Sequence, residues 1–313
     1  MNKNKKIKNS KVLVTGAAGF IGSHLCESLL KQGFKVVGLV YGNDSNIRHL
    51  KDNKNFKTIK SDITNFQGIL EILKKHKPDA IFHVAGVIPL GREYENNPFL
   101  FFKVNAEGTL NLLEACRQTN IKKFIYSSSM SVYNKKTKQL PISEEGFINP
   151  CDFYGLSKWQ GEEFARIYAI NYKLNVIILR YAGVYGPRKD GGAVAIFIKK
   201  ALQNKPINIF SNTSWDIVYV KDVVRANILA LKKIKKIGSA VINIGSGQEI
   251  HIKDLAKNII DITNSKSKIK INKSRDSFRF CFEINRAEKL LGFNPTPLEK
   301  GLLLTAQWFK KQI

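Results

Sequence analysis

The chain contains no apolar run approaching the roughly 18 residues that a membrane-spanning helix requires. Its hydrophobic residues make up 43% of 313 positions but are broken up by charge and glycine. The stretch that follows the lysine- and asparagine-rich segment Met1–Lys11 is too short and too glycine-broken for a secretion signal. It reads as the first strand of a cytoplasmic protein with no membrane partner. Cysteine is scarce as well. Cys26, Cys116, Cys151 and Cys281 stand far apart with no paired spacing, which excludes a disulfide framework and a zinc pattern and leaves no metal site to expect. Acidic residues are few, 25 against 51 lysines and arginines, for a net charge of +26. That balance invites a nucleic-acid reading. The basic residues are instead scattered along the chain among asparagines and isoleucines, the pattern of a solvated basic surface that attracts anionic substrates. Internal repeats and low-complexity linkers are also missing.

The chain does have alternation. Short apolar strands are expected at Lys11–Thr15, Phe34–Tyr41, Phe56–Lys60, Ala80–Val84, Lys123–Ser128 and Asn175–Arg180. Helical segments lie between them at Ser23–Gln32, Ile69–Lys75, Pro98–Thr119 and from Tyr154 toward Asn171. Strands separated by helices of about ten residues or more indicate parallel βαβ units, hence an α/β fold with a Rossmann-type doubly wound sheet. Beyond Gly186-Pro187 the regularity weakens, with helices expected at Ala193–Gln203, Val220–Lys233 and Ile252–Thr263, a strand at Ala240–Ile244, and an amphipathic helix ending near Phe309. Residues 1–180 are thus mainly a dinucleotide-binding domain. Residues 181–313 are mainly a smaller substrate lobe, interleaved with the last strands of the sheet.

The first turn, Thr15-Gly16-Ala17-Ala18-Gly19-Phe20-Ile21-Gly22, spaces Gly16, Gly19 and Gly22 three apart between a strand and a helix. Glycines there let a pyrophosphate approach backbone amides at a helix N-terminus, where the dipole favours negative charge. A glycine turn without nucleotide is the alternative. Asp62, after the third strand, can accept from an adenine amino group or cap the following helix. His83 to Gly86 end the fourth strand in small residues that leave room for a ligand, and His83 itself reads as a hydrogen-bonded core histidine. At the tip of the second strand, Val40 and Tyr41 stand where an acid would bind the adenosine ribose. Asn43, Ser45 and Arg48 lie just beyond, so NAD and NADP both remain open, NAD the favoured one.

Tyr154 and Lys158, four apart on a helix, project from one face. A tyrosine acting as base near neutrality needs its pKa lowered by roughly 3 units from about 10. A nearby ammonium and a positive nicotinamide ring both favour the phenolate. Ser129, at the end of the strand Ser127-Ser128-Ser129, can hold a substrate hydroxyl in line. Tyr154 then handles the proton while a hydride passes between carbon and nicotinamide.

In these motifs the chain resembles the extended short-chain dehydrogenase/reductases of the NAD-dependent epimerase/dehydratase group. The likeness runs through Thr15–Gly22, Asp62, His83–Gly86, Val104-Asn105, Ser127–Tyr133, Tyr154–Lys158, Leu179-Arg180-Tyr181, Val184–Pro187, Val218–Val220, Asn243–Gly247 and Lys289–Phe293. It implies cofactor contacts from Gly16, Gly19, Phe20, Ile21, Gly22, Asp62, Ile63, Val84, Ala85, Gly86, Asn105, Ser127, Tyr154, Lys158 and Tyr181, with Ser129, Tyr154 and Lys158 catalytic. It also implies a nucleotide-sugar substrate and a homodimer built on the helices at 98–119 and 154–171. The chain departs from the family at several points. Met130 and Ser131 replace the Asp-Glu pair that 4,6-dehydratases use, which disfavours dehydration. Gly183 stands where such epimerases carry an asparagine, and Trp215 where they carry a phosphate-gripping arginine. Lys273, Arg275 or Arg279 could partly replace that arginine, and Trp215 could stack on a base or sugar or simply pack. The expected activity is nucleotide-sugar C4 epimerisation in glycan or polysaccharide synthesis. The alternatives are reduction of a 4-keto nucleotide sugar, oxidoreduction of a non-nucleotide alcohol or ketone, and a redox-silent dinucleotide-binding scaffold.

Overall fold

The computed structural model describes residues 10–89, 97–134, 137 and 139–312, with the backbone alone at 273–276. In chain order the strands are β1 (Lys11–Thr15), β2 (Lys35–Val40), β3 (Phe56–Lys60), β4 (Ala80–His83), β5 (Lys123–Ser129), β6 (Asn175–Tyr181), β7 (Gly183–Tyr185), β8 (Ile207–Ser211), β9 (Ser214–Tyr219), β10 (Ala240–Ile244), β11 (Glu249–His251), β12 (Ile269–Asp276) and β13 (Arg279–Phe280). The helices are α1 (Phe20–Lys31), α2 (Phe66–His76), α3 (Pro98–Phe101, then π-helical Phe102–Glu107, then Gly108–Gln118), α4 (Phe153–Tyr172), α5 (Ala193–Leu202), α6 (Val220–Ile237), α7 (Ile252–Thr263), α8 (Asn285–Leu291) and α9 (Leu298–Lys310). Two compact units result. The first comprises Met1–Tyr133, Ile148–Arg180 and Val224–Ile242; the second comprises Asn134–Phe147, Tyr181–Val223 and Asn243–Ile313.

The first unit is built on a seven-stranded sheet in the order β10-β6-β5-β4-β1-β2-β3. The ladders from β3 through β2, β1 and β4 to β5 are all parallel. Strands covered on both faces must be apolar throughout, and Val12, Leu13 and Val14 of β1 are all fully buried. Leu13, Ile81, Phe124, Tyr126, Val176 and Ile178 share one core with Ile69, Leu73, Leu112, Leu113 and Ala165 from the helices. Full burial of each large aliphatic contributes about 1.5–3 kcal/mol. Successive strands run outward from β1 to β3, and then the chain returns to place β4 on the other flank of β1. That reversal opens a crevice past the carboxyl ends of β1 and β4, the place where such sheets bind ligands.

The second unit is organised around β9. It pairs in parallel with β7 (Gly183↔Ile217, Tyr185↔Tyr219), antiparallel with β11 (Glu249↔Asp216) and in parallel with β13 (Phe280↔Trp215). β8 and β12 form a separate parallel pair. Asp216, fully buried on β9, accepts from Ser246 N and Oγ (both 2.7 Å), Gly247 N (3.1 Å) and Phe282 N (3.4 Å). Burial raises its pKa and these four donors work in the other direction. The helices expected at 193–203, 220–233 and 252–263 are α5, α6 and α7, and the expected strand at 240–244 is β10. The six strands β7–β9 and β11–β13 were not anticipated from the sequence. None of the described helices is long and apolar enough to cross a membrane.

Candidate active site

The site begins where β1 ends. Gly16 has φ +64°, and a Cβ there would sit 2.8 Å from the Ala85 Cα and 2.9 Å from its nitrogen. The position is closed to side chains on both counts. Gly19 is the N-cap of α1 and offers no side-chain cap, and the first turn holds no acid. An anion at that helix start would meet backbone N–H groups and no acidic side chain. The helix starts at Phe20, three residues earlier than expected, so Phe20, Ile21 and Gly22 lie inside it. Asn46 ties the turn to the segment after β2 by donating to the Ala18 carbonyl at 3.0 Å.

A directed chain of hydrogen bonds braces the crevice floor. Thr15 Oγ1 accepts from Val84 N (3.1 Å) and Ala85 N (3.0 Å), so its own proton goes to His83 Nδ1 at 2.8 Å. Thr109 Oγ1 donates to the Asn105 carbonyl at 2.5 Å, so it accepts from His83 Nε2, 2.9 Å away. These partners assign a neutral, Nε2-protonated ring. Burial, helped by the Lys158 ammonium, pushes the His83 pKa well down. His83 is thus the core histidine anticipated from the sequence.

Asp62 does not cap α2. That role falls to Asn65, which accepts from Gly68 N at 3.1 Å. Asp62 Oδ1 accepts from Thr64 N at 2.9 Å within a local turn. The neighbouring Ile63 is buried and packs against Gly108. Asn105, in the π-helical stretch of α3, is spent internally. Its amide donates to the Val87 carbonyl and to Ser157 Oγ, both at 3.0 Å, and accepts from Val87 N at 2.8 Å. It wires the loop after β4 to α4, leaving no side-chain donor for a ligand. π-Bulges commonly mark such functional positions, and the sequence carries no signal of this one.

At the end of β5 the predicted catalytic residues come together. Asp152 caps α4 through Gly155 N (2.7 Å), placing Tyr154 in the first turn. The Tyr154 hydroxyl is hydrogen-bonded to the Ser129 side chain. Ser129 Oγ also accepts from Ser131 N at 3.1 Å, which leaves its proton for Tyr154. Lys158 is buried, and its ammonium donates to the Ser127 carbonyl at 2.9 Å and lies 5.2 Å from the centre of the Tyr126 ring. Desolvation by burial brings its pKa down to about 8, with Glu162 opposing. Burial raises the Tyr154 phenol, and the Ser129 hydrogen bond pulls it back. In the protein by itself the phenol is therefore not yet a base, and the positive charge that favours its phenolate has to arrive with a ligand.

In the second unit Gly183, Tyr185, Lys189, Gly192, Trp215 and Ile217 are among the residues lining a cavity of about 120 Å³. A Cβ on Gly183 would lie 2.9 Å from the Trp215 indole nitrogen, so the bare backbone at 183 and the indole at 215 are one arrangement. Gly183→Asn is accordingly expected to displace Trp215 and to change the size of this cavity. A shift in tryptophan fluorescence checks the displacement. Lys189 was not anticipated from the sequence. Its ammonium reaches the Val184 carbonyl at 2.6 Å, and burial lowers its pKa. Its position just before Gly191-Gly192, in a loop after Gly186-Pro187, was the available signal. Arg279 is already held by Glu249 in a bidentate pair, 2.7 Å at each contact, and Tyr181 is buried at the end of β6. The side chains of Lys273 and Arg275 lie outside the described residues.

Comparison with known proteins places this constellation. The model of the NAD-dependent epimerase/dehydratase family matches residues 12–245. A putative UDP-glucose 4-epimerase of Methanocaldococcus jannaschii is 34% identical over 96% of this chain and 98% of its own. The crystal structure of Thermotoga maritima UDP-glucose 4-epimerase with UDP-glucose superposes with a TM-score of 0.88 at 33% identity, covering 96% of this chain and 99% of that one. The Bacillus cereus UDP-glucuronic acid 4-epimerase, solved with UDP-glucuronic acid and NAD, gives a TM-score of 0.86 at 33% identity, covering 97% and 100%. The chain belongs to the NAD-dependent epimerase/dehydratase family. It is an enzyme of the extended short-chain dehydrogenase/reductase type.

Proposed function

We propose that this protein is an NAD-dependent nucleotide-sugar 4-epimerase. The observation that carries the reading is the convergence of Ser129, Tyr154 and Lys158 at the end of β5, in the unit that carries the uncapped glycine turn. The Gly16–Gly22 turn would hold the pyrophosphate, Asp62 would accept from the adenine, and Val84–Gly86 would leave space for the nicotinamide half. When bound, the dinucleotide supplies a hydride acceptor and donor. Tyr154 takes the proton from the sugar C4 hydroxyl while Ser129 orients that oxygen and Lys158 favours the phenolate. Inverting C4 requires the resulting ketone to present its other face before Tyr154 returns the proton. The cycle has no net redox change.

NAD is favoured over NADP by the surroundings of β2. The cations after its tip are directed at Asp44, with Lys51 at 2.7 Å and Arg48 at 3.9 Å, rather than held for a 2′-phosphate. A pair of chains is the inferred assembly, supported by Phe99, Phe102, Phe153, Ile167 and Ile170, which expose apolar surface on α3 and α4. All four cysteines are free thiols, in keeping with a cytoplasmic protein.

The test is incubation of the purified protein with UDP-glucose, UDP-glucuronic acid and their N-acetylated counterparts, with products read by chromatography and NMR. A C4 epimer at equilibrium without added NAD supports the reading. Formation of a 4-keto-6-deoxy sugar would overturn it, because Met130 and Ser131 offer no acid–base pair for that chemistry. Trp215 beside Gly183 keeps a second reading open, oxidoreduction of an alcohol or ketone lacking a nucleotide. That reading requires that none of UDP, GDP or dTDP binds in saturation-transfer NMR.

A further inference from the structure

One turn beyond Lys158 on α4 lies Glu162, 2% exposed. Its carboxylate is fully engaged. Arg180 on β6 donates to it through Nε, at 3.0 and 3.1 Å to the two oxygens, and through Nη2 at 2.6 Å. The remaining acceptor position takes the hydroxyl of Ser128. Arg180 turns Nη1 to the Tyr133 hydroxyl at 2.6 Å and stacks over that ring at 4.8 Å. Every polar atom of this buried cluster has a partner, yet a buried ion pair adds little over packed apolar side chains. Its cost calls for another role, and Ser128 suggests it. Ser128 stands between Ser127, whose carbonyl receives the Lys158 ammonium, and Ser129, which is bonded to Tyr154.

We propose that Glu162 is a positioning residue for the reaction: clamped by Arg180, it holds the end of β5 through Ser128 and so fixes the Ser127 carbonyl and the Ser129 hydroxyl against Lys158 and Tyr154. It serves a second purpose through charge. The groups facing Lys158 are neutral His83 on β4, the Tyr126 ring on β5, Asn105 on α3 beside Gly86, and Tyr154 on its own helix. Glu162 is the anion that favours the ammonium, opposing the desolvation that brings Lys158 to about 8. Its removal would leave Arg180 as an uncompensated cation and lower Lys158 further. The ammonium would then be lost earlier as pH rises.

The inference rests on the epimerase reading for its kinetic readout only. Glu162→Gln keeps the shape and the bond to Ser128 but removes the charge. Ser128→Ala keeps the charge but cuts the link to β5. For Glu162→Gln the expected result is a kcat reduced about 10- to 100-fold, KM and cofactor affinity within about twofold, and an alkaline limb moved down by about one pH unit. For Ser128→Ala it is a kcat reduced about tenfold with the alkaline limb unmoved. Wild-type kcat and pH profile in both variants, or a lowered melting temperature alone, would overturn the proposal. If Glu162→Gln does not fold, the kcat of Ser128→Ala decides. If the wild-type protein turns over no nucleotide sugar, the functional reading fails on its own. The Lys158 titration, read by NMR on isotope-labelled lysines of the holoprotein with Lys158→Met as blank, still decides this inference. An unshifted Lys158 in Glu162→Gln sinks it.

Discussion

Tyr154→Phe is expected to lower turnover about a thousandfold while leaving the dinucleotide bound, a separation that a merely structural tyrosine would not produce. The phenylalanine ring keeps the edge contact with Phe101, whose centroid lies 6.1 Å from that of Tyr154, so the fold and the cofactor crevice persist. What disappears is the hydroxyl that takes the proton from the sugar oxygen and later returns it. Steady-state kinetics together with absorbance of the released cofactor measures both halves. Turnover within tenfold of wild type would end the assignment. The pH profile carries a matching signature. Tyr154 and Lys158 titrate as a pair, and the productive form needs the phenolate and the ammonium together. Lys158 falls from its ordinary 10.5 to about 8. Activity on that limb is present below about 8 and lost above it. Stability runs the other way: between about 8 and 10.5 the unfolded chain binds the proton that the folded Lys158 has released, so this group adds stability as pH rises through that window.

The second large effect is expected at Gly16. Gly16→Val places a β-branched residue at φ +64° against the Ala85 backbone, which cannot retreat as a flexible side chain would. The conformational strain costs about 1–3 kcal/mol, and overpacking adds a comparable amount. If about 2.7 kcal/mol of this falls on the bound state, dinucleotide affinity drops roughly 100-fold. Fluorescence titration with NADH and a thermal melt distinguish the two contributions. Unchanged affinity would mean that the turn after β1 does not hold the pyrophosphate.

Much of the first unit was legible because its signals are local. Strand and helix alternate with the right lengths, Gly16 to Gly19 sit between β1 and α1 with Gly22 in the first turn of that helix, and Tyr154 and Lys158 share a helical face. The second unit was harder because β9 pairs with β7, β11 and β13, all of them three residues long or shorter. Strands that short leave no run in which a period of two can be counted, and their partners lie far away in sequence. Lys189 was overlooked because its one signal, a place in a glycine-rich loop, is faint in a basic chain, and only the fold buries its ammonium. Asn105 was assigned to the cofactor by resemblance, whereas its amide is used up between Val87 and Ser157. Asp62 was left between two roles, and the capping role went to Asn65 because α2 begins at Phe66.

The wider turns of Phe102–Glu107 bear on how this framework tolerates change in length. A segment with i→i+5 bonding accommodates an additional residue without breaking the helix around it. Deleting one residue there would restore ordinary pitch and shift the residues inside the wide turns, Asn105 among them, relative to the helix on either side. Asn105 and Thr109 could not then both meet their partners. A single-residue deletion in this helix, which buries Asn105, Thr109, Leu112 and Leu113, is thus expected to be more disruptive than most point substitutions on its exposed face.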